Sequence, residues 1–92
     1  MPKILIYKLI WLFVIYGTDM YERRMHVHVG KKGMRNLCKI WLEPEISIAE
    51  PGQLTIRQQN EVLQIAQEFQ NDLILQWKRF TSGENIKAIK VR

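Results

Sequence analysis

One amphipathic pattern in the last third of the chain constrains the fold more than any other feature. Apolar side chains recur at spacings of three and four residues over Val62–Phe80, with Gln, Glu and Asn between them. This spacing is typical of one face of an α-helix. Thr55 followed by Gln58 forms a capping box that opens a helix, and Ser82-Gly83 ends it. The sequence therefore predicts a long helix from about Ile56 to Phe80.

The first half of the chain favours strands instead. It is rich in Ile, Val, Tyr, Trp and Phe, which suit a pleated surface, and turn-forming residues separate the apolar runs. The predicted strands are Lys3–Tyr7, Ile10–Tyr16, His26–Gly30, Leu37–Leu42, a short edge strand within Glu45–Glu50, and a last strand within Ile86–Arg92.

Together these elements predict one α+β domain over residues 1–92. We expect a small antiparallel sheet of about four to six strands with one long amphipathic helix packed on one face. Leu63, Ile74 and Leu75 widen the apolar stripe of the helix. Two interpretations remain open for this wide stripe: deep packing on a curved sheet, or a surface for a second copy or another partner.

Composition bounds the class of protein. The net charge is +5 with one cysteine, so the fold has no internal disulfide, and we expect the reducing cytoplasm. We expect Cys38 to be a small buried hydrophobe.

The apolar run Ile4–Tyr16 is shorter than the roughly 20 residues of a membrane-spanning helix, and it is not followed by a signal-peptide cleavage pattern. We therefore expect no membrane partner.

The histidine strand carries the first possible site. Alternation puts His26 and His28 on one face, and Val27 and Val29 on the other, toward the expected helix. Two imidazoles on one face could bind zinc or iron, which would need a third ligand. The carboxylates available for that role are Asp19, Glu22 and Glu43, and no spacing brings them to the pair.

Basic residues flank the same strand. If the connector before the strand and the turn after it lay at the same end of the sheet, these residues would form one positive patch. Such a patch could contact nucleic-acid phosphates. Histidines beside such cations could also act as acid and base on a phosphodiester. The candidate surface comprises His26, His28, Arg23, Arg24, Lys31, Lys32 and Arg35.

The common motifs of nucleotide hydrolysis, dinucleotide redox chemistry and acyl transfer do not occur in the sequence. We assign no catalytic residue, and we lean toward a protein that is not an enzyme. We also expect no resident metal and no cofactor.

The order of features resembles a known family. "MPKI", "FVIYGTD", "HVHV", "KIWLEPE" and a helix that ends "LILQWKRF" are similar to the bacterial family called domain of unknown function 4160, over roughly residues 1 to 80. The family usually has a histidine directly after its acidic residue, whereas Met20 follows Asp19 here. The resemblance thus implies that the natural third metal ligand is missing.

The resemblance also bears on function. Members of the family are small single-domain proteins, often encoded beside a second small protein in a toxin–antitoxin-like arrangement, with no assigned activity. We therefore expect an interaction module that binds a small cognate protein or a second copy of itself. The alternative is a basic module that binds nucleic acid or cleaves RNA through His26, His28 and the flanking cations.

Overall fold

The structure is a computed structural model and describes residues 2–92, apart from the side chain of Met20. The first residue of the predicted "MPKI" segment lies outside the described residues. The elements in chain order are β1 Lys3–Tyr7, β2 Trp11–Val14, a 3₁₀ turn Gly17–Tyr21, β3 His26–Gly30, β4 Cys38–Trp41, β5 Ser47–Glu50, α1 Ile56–Glu68, α2 Gln70–Thr81 and β6 Ile89–Val91. The predicted α+β class is confirmed.

The six strands form one sheet in the order β5-β4-β3-β2-β1-β6. Consecutive strands from β1 to β5 pair antiparallel, as predicted. The prediction of a purely antiparallel sheet is wrong at one edge, because β6 pairs parallel to β1. The helices carry the chain from the β5 edge across the sheet to the opposite edge, where β6 enters in the direction of β1. The sheet is therefore mixed.

The predicted single long helix is also wrong in detail. It is two helices, α1 and α2, that meet at Phe69, whose backbone leaves the helical region with φ −106° and ψ 22°. The Phe69 ring packs against Tyr7 of β1, with ring centroids 6.2 Å apart. The bend lets both halves keep their apolar sides on a twisted sheet. Neither helix of residues 2–92 is long and apolar enough to span a membrane.

The core lies between the helices and one face of the sheet. Alternation directs Leu5, Phe13, Val29 and Ile40 of four neighbouring strands to this face, and all four are fully buried. The wide apolar stripe of the helices packs largely against this core, Leu63 and Ile74 included, while Leu75 stays 46% exposed.

The second face of the sheet is only partly covered. The connector between β2 and β3 folds over this face where β3 begins. Its Glu22 pairs there with Lys39 of β4 at 2.9 Å. At the other end of these strands, Met34 and Leu37 of the β3–β4 loop lie against Gly30. The part of this face that β2, β1 and β6 form remains open, and its residues Ile6 and Leu12 are half-buried.

Gln76 ties α2 to two segments that are distant in sequence. Its side chain is fully buried, and Nε2 donates to the Ile4 carbonyl at 3.0 Å and to the Lys87 carbonyl at 2.8 Å. We expect Gln76→Leu to lower the free energy of unfolding by about 2 kcal/mol, because two carbonyls lose their donor inside the fold. Urea unfolding followed by circular dichroism measures this loss. Gln67→Leu, at an exposed position of α1, is the matched control, and an equal effect of both changes would contradict the prediction.

Candidate functional site

Three side chains converge where the 3₁₀ turn packs on β3. His26 and His28 project from β3 on the same face, and Asp19 reaches both of them from the turn. Asp19 Oδ1 lies 3.1 Å from His26 Nε2, and Asp19 Oδ2 lies 3.2 Å from His28 Nε2. One nitrogen or oxygen from each residue falls within 4.8 Å of the others. We call this group, Asp19, His26 and His28, the histidine–aspartate cluster.

His26 is fully buried, and a side chain of α2 reaches it, although Val27 and Val29 were the residues of β3 expected to face the helix. The ring of Trp77 from α2 lies 4.9 Å from the His26 ring, and Trp41 lies on another side at 5.8 Å. The His28 side chain, in contrast, keeps 15% of its surface exposed. An acid–base pair acting on RNA would need both rings at an open surface, so this geometry does not favour the predicted RNA-cleaving arrangement.

Hydrogen bonding fixes how the His26 ring is used. Its Nδ1 lies 2.9 Å from the Arg24 carbonyl, an acceptor, so Nδ1 carries the proton in this bond. Nε2 is left buried without a hydrogen-bond partner, although Asp19 Oδ1 is only 3.1 Å away. The site therefore holds a buried ring nitrogen without a hydrogen-bond partner, next to the Asp19 carboxylate.

The electrostatics of the cluster keep Asp19 ionised. Burial raises the pKa of the Asp19 carboxyl, but contact with His26 and a 2.7 Å hydrogen bond from the Tyr16 N–H outweigh it, so the pKa lies below its usual value. Burial lowers the pKa of His28, and the neighbouring Asp19 opposes this without cancelling it. His28 Nε2 and Asp19 Oδ1 are themselves in a hydrogen bond, at 3.2 Å.

Asp19 is the residue that the sequence-based interpretation left unplaced. The resemblance directed attention to the position after Asp19, where Met20 stands. The 3₁₀ turn instead brings the Asp19 carboxylate itself to both rings. The Tyr16 ring, 4.5 Å from the His28 ring, closes one side of the cluster. The "GTD" turn before an H-x-H strand was the available signal, but nothing in its spacing fixes how the turn folds back.

The predicted basic patch is divided between two ends of the sheet. Arg23 and Arg24 precede β3, whereas Lys31, Lys32 and Arg35 follow it. The strand between them spans five residues, which is about 16 Å at 3.3 Å a residue. These five side chains are exposed but do not form one patch beside the histidines.

The cations near the cluster already have partners. The Arg24 guanidinium lies 4.2 Å from the centre of the Trp41 ring, and its Nε donates to the Glu43 carbonyl. Lys39 Nζ lies 4.7 Å from the same ring and also pairs with Glu22. Because cations contact the Trp41 ring, it is a poor platform for stacking a base.

Two cavities lie on the open part of the sheet. One, of about 550 Å³, lies between the β1–β2 turn and β6, and the other, of about 210 Å³, lies between β2 and the β3–β4 loop. Ile6 of β1, which lines the first cavity, pairs with Leu12 of β2, which lines the second. Six cations line them: Lys8, Lys90 and Arg92 in the first, and Lys3, Lys31 and Lys32 in the second. We call the two cavities together the basic groove.

The groove carries no compensating charge of its own. No acidic side chain is among the residues that line it in the described part of the chain. Leu9, at the tip of the β1–β2 turn, lies at its edge and is 88% exposed. The groove thus combines an aliphatic floor with a cationic rim.

Cys38 lies on the core side of β4 and takes no part in either site. It is fully buried, and burial raises the pKa of its thiol to about 11. The thiol therefore stays protonated near neutral pH and behaves as the small buried hydrophobe that the sequence predicted.

Comparison with known proteins gives one match. No curated protein and no solved structure shows significant similarity to the chain. A sequence model of one family, described as a domain of unknown function (DUF4160), matches residues 11–78. This match spans the histidine–aspartate cluster, the four strands from β2 to β5 and most of both helices. The chain, as the order of its sequence features indicated, belongs to the DUF4160 family.

Proposed function

We propose that the protein is an interaction module whose basic groove binds an acidic surface of a small cognate protein, in a paired, toxin–antitoxin-like gene system. The proposal assigns a binding role, not a catalytic one, in the cytoplasm of a bacterium. The observation that carries it is the groove itself: six cations around an aliphatic floor, with no acid among the described lining residues. An apolar centre with a charged rim is the general anatomy of a protein–protein interface.

The chemistry of the groove favours a protein over the other partners that the sequence left open. Its floor is aliphatic, with Ile6, Leu12 and Val14, whereas binding of single-stranded nucleic acid relies on exposed aromatic side chains for stacking. Two copies of this chain meeting groove to groove would bring like charges together, which costs several kcal/mol. An acidic partner with a few apolar side chains satisfies both the rim and the floor.

Nucleic acid remains the second candidate because of one observation. The cations of the groove have no acidic neighbour there, and phosphates would bind such residues without regard to sequence. Self-association is the third, through Leu75 and the remaining exposed part of the helices. Light scattering of the protein alone would detect self-association directly.

The test is complex formation with the small protein encoded beside this chain. We expect size-exclusion chromatography with light scattering to show a defined complex, and its affinity to fall as salt is raised. The double variant Lys32→Glu/Lys90→Glu, with one change in each cavity, should bind at least about tenfold more weakly, because it places acids opposite acids.

The matched control carries the same change in net charge elsewhere. Arg57 and Lys78 are exposed on α1 and α2, so Arg57→Glu/Lys78→Glu should bind the partner as the wild type does. Equal weakening by both double variants, or no complex at all, would overturn the proposal. Salt-sensitive retention of a short single-stranded RNA, without any protein complex, would assign the groove to nucleic acid instead.

A further inference from the structure

We propose that Asp19, His26 and His28 bind one divalent transition-metal ion, zinc by the chemistry of its ligands, at the contact between the 3₁₀ turn and β3. The proposal concerns a different part of the molecule from the basic groove and does not depend on which partner the groove binds. It revises the expectation of no metal that the sequence gave alone. It rests on convergence, on an unpartnered buried nitrogen and on the surrounding hydrogen bonds.

The separations of the donor atoms suit such an ion. Zinc binds imidazole nitrogen and carboxylate oxygen at about 2.0–2.2 Å, so two ligands of a tetrahedral ion lie ~3.4 Å apart. His26 Nε2 is 3.1 Å from Asp19 Oδ1, and His28 Nε2 is 3.2 Å from both carboxylate oxygens. The three donor atoms stay within 4.8 Å of one another. A bound ion would require side-chain adjustments of the histidines that bring the donor atoms to about 3.4 Å from one another.

The state of His26 is the second and independent observation. Its Nδ1–H donates to the Arg24 carbonyl, which leaves Nε2 as the ring nitrogen on the cluster side, 3.1 Å from Asp19 Oδ1. That nitrogen is buried and has no hydrogen-bond partner. A cation bound between Nε2 and Asp19 Oδ1, which lie 3.1 Å apart, would give this nitrogen a partner.

The groups around the cluster match the outer shell of metal sites. A metal-bound histidine generally donates its second ring N–H to a backbone carbonyl or a carboxylate, as His26 does to Arg24. The Tyr16 N–H holds Asp19 Oδ2 at 2.7 Å and so fixes the carboxylate. Two imidazoles and one carboxylate are a common donor set for zinc and for other first-row divalent ions.

Burial indicates what the ion would do. Asp19 and His26 are buried, and His28 is only slightly exposed, so access for a substrate is poor. Asp19 lies on the 3₁₀ turn, while the histidines lie on β3. An ion bound to all three would fasten the connector onto the sheet, which is a structural role.

The experiment is titration of the full chain with zinc after treatment with a chelator. We expect isothermal titration calorimetry to show one equivalent bound, a melting temperature that rises with zinc, and visible d–d absorption when cobalt replaces zinc. Asp19→Asn and His28→Gln should each weaken binding at least about 100-fold, since even outer-shell changes cost 10- to 100-fold. Circular dichroism checks whether both variants are folded.

Glu22→Gln supplies the matched control. Glu22 Oε2 lies 3.6 Å from His26 Nδ1, the ring nitrogen that faces away from the cluster, so this variant should bind zinc as the wild type does. Cys38→Ser should also bind zinc as the wild type does, which would exclude the Cys38 thiol as a zinc ligand. Absence of binding to the wild type, or undiminished binding to folded Asp19→Asn and His28→Gln, would overturn the proposal.

Discussion

Replacement of Trp77 by alanine is expected to lower the free energy of unfolding by about 4 kcal/mol. Trp77 is 4% exposed, belongs to the core cluster and covers His26 at 4.9 Å between ring centroids. Removing the indole leaves a cavity between α2 and the sheet, and the cavity adds to the lost transfer free energy. Urea unfolding followed by far-ultraviolet circular dichroism measures the change without relying on tryptophan fluorescence.

The same variant should open the histidine–aspartate cluster to reagents. Diethyl pyrocarbonate should modify His28 in the wild type, where the side chain is 15% exposed, and should modify both histidines in Trp77→Ala. Lys78→Ala, at the neighbouring exposed position, should change stability by less than about 0.5 kcal/mol. A loss below about 1 kcal/mol for Trp77→Ala would show that the indole is not packed as described.

Gly52→Ala is expected to cost about 3 kcal/mol, which combines backbone strain with a direct clash. Gly52 has φ +58°, and a β-carbon there would lie 2.5 Å from the Asn36 carbonyl oxygen and 2.6 Å from the carbonyl group of Leu37. These are backbone atoms, so no side-chain rotation relieves the overlap. The loop after β5, which contains Gly52, would have to move away from the β3–β4 loop, which contains Asn36 and Leu37. Chemical unfolding measures the resulting loss of stability.

The clash matters because these loops are docked on each other. The Gln53 side-chain oxygen accepts from the backbone N–H groups of Arg35 and Asn36, and the Gln53 N–H donates to the Asn36 carbonyl. Gly83 is the matched control, since it has φ +81° but nothing within 4 Å of a β-carbon. Gly83→Ala should therefore cost only about 1 kcal/mol, the strain alone. Equal costs at both positions would contradict the clash.

The two proposed sites divide the second face of the sheet between them. The connector with its 3₁₀ turn covers the β3–β4 side, where the histidine–aspartate cluster lies, and the basic groove occupies the β1, β2 and β6 side. A metal ion in the cluster would hold the connector closed over its part of the face. The groove would then be the part that stays free for a partner.

Local sequence determined most of the elements. The bounds of β1 and β3 match the predicted Lys3–Tyr7 and His26–Gly30, and α1 begins at Ile56 after the Thr55–Gln58 capping box. These features depend on alternation, helical period and capping, which act within a few residues. Strands β2 and β4 are shorter in the structure than predicted, whereas β5 and β6 lie within their predicted segments.

The helix break shows where local signals stop. The residues on either side of Phe69 continue one helical period, and no proline or glycine marks a bend. At the break, Phe69 packs against Tyr7 of β1, a residue distant in sequence. The parallel pairing of β6 likewise depends on which edge the helices reach, a long-range property that a short alternating tail does not encode.

The candidate site divides in the same way. By itself, the sequence determined that His26 and His28 share a face, because the period of a strand is two residues. It also determined the strands, the helix start, the positive charge and the family. Only the tertiary structure decided that Asp19 folds back onto both rings, that Trp77 seals His26, and that the basic residues separate to opposite ends of β3. Strand period and capping are local, whereas these three outcomes depend on how a turn, a helix and a sheet pack against one another across the whole chain.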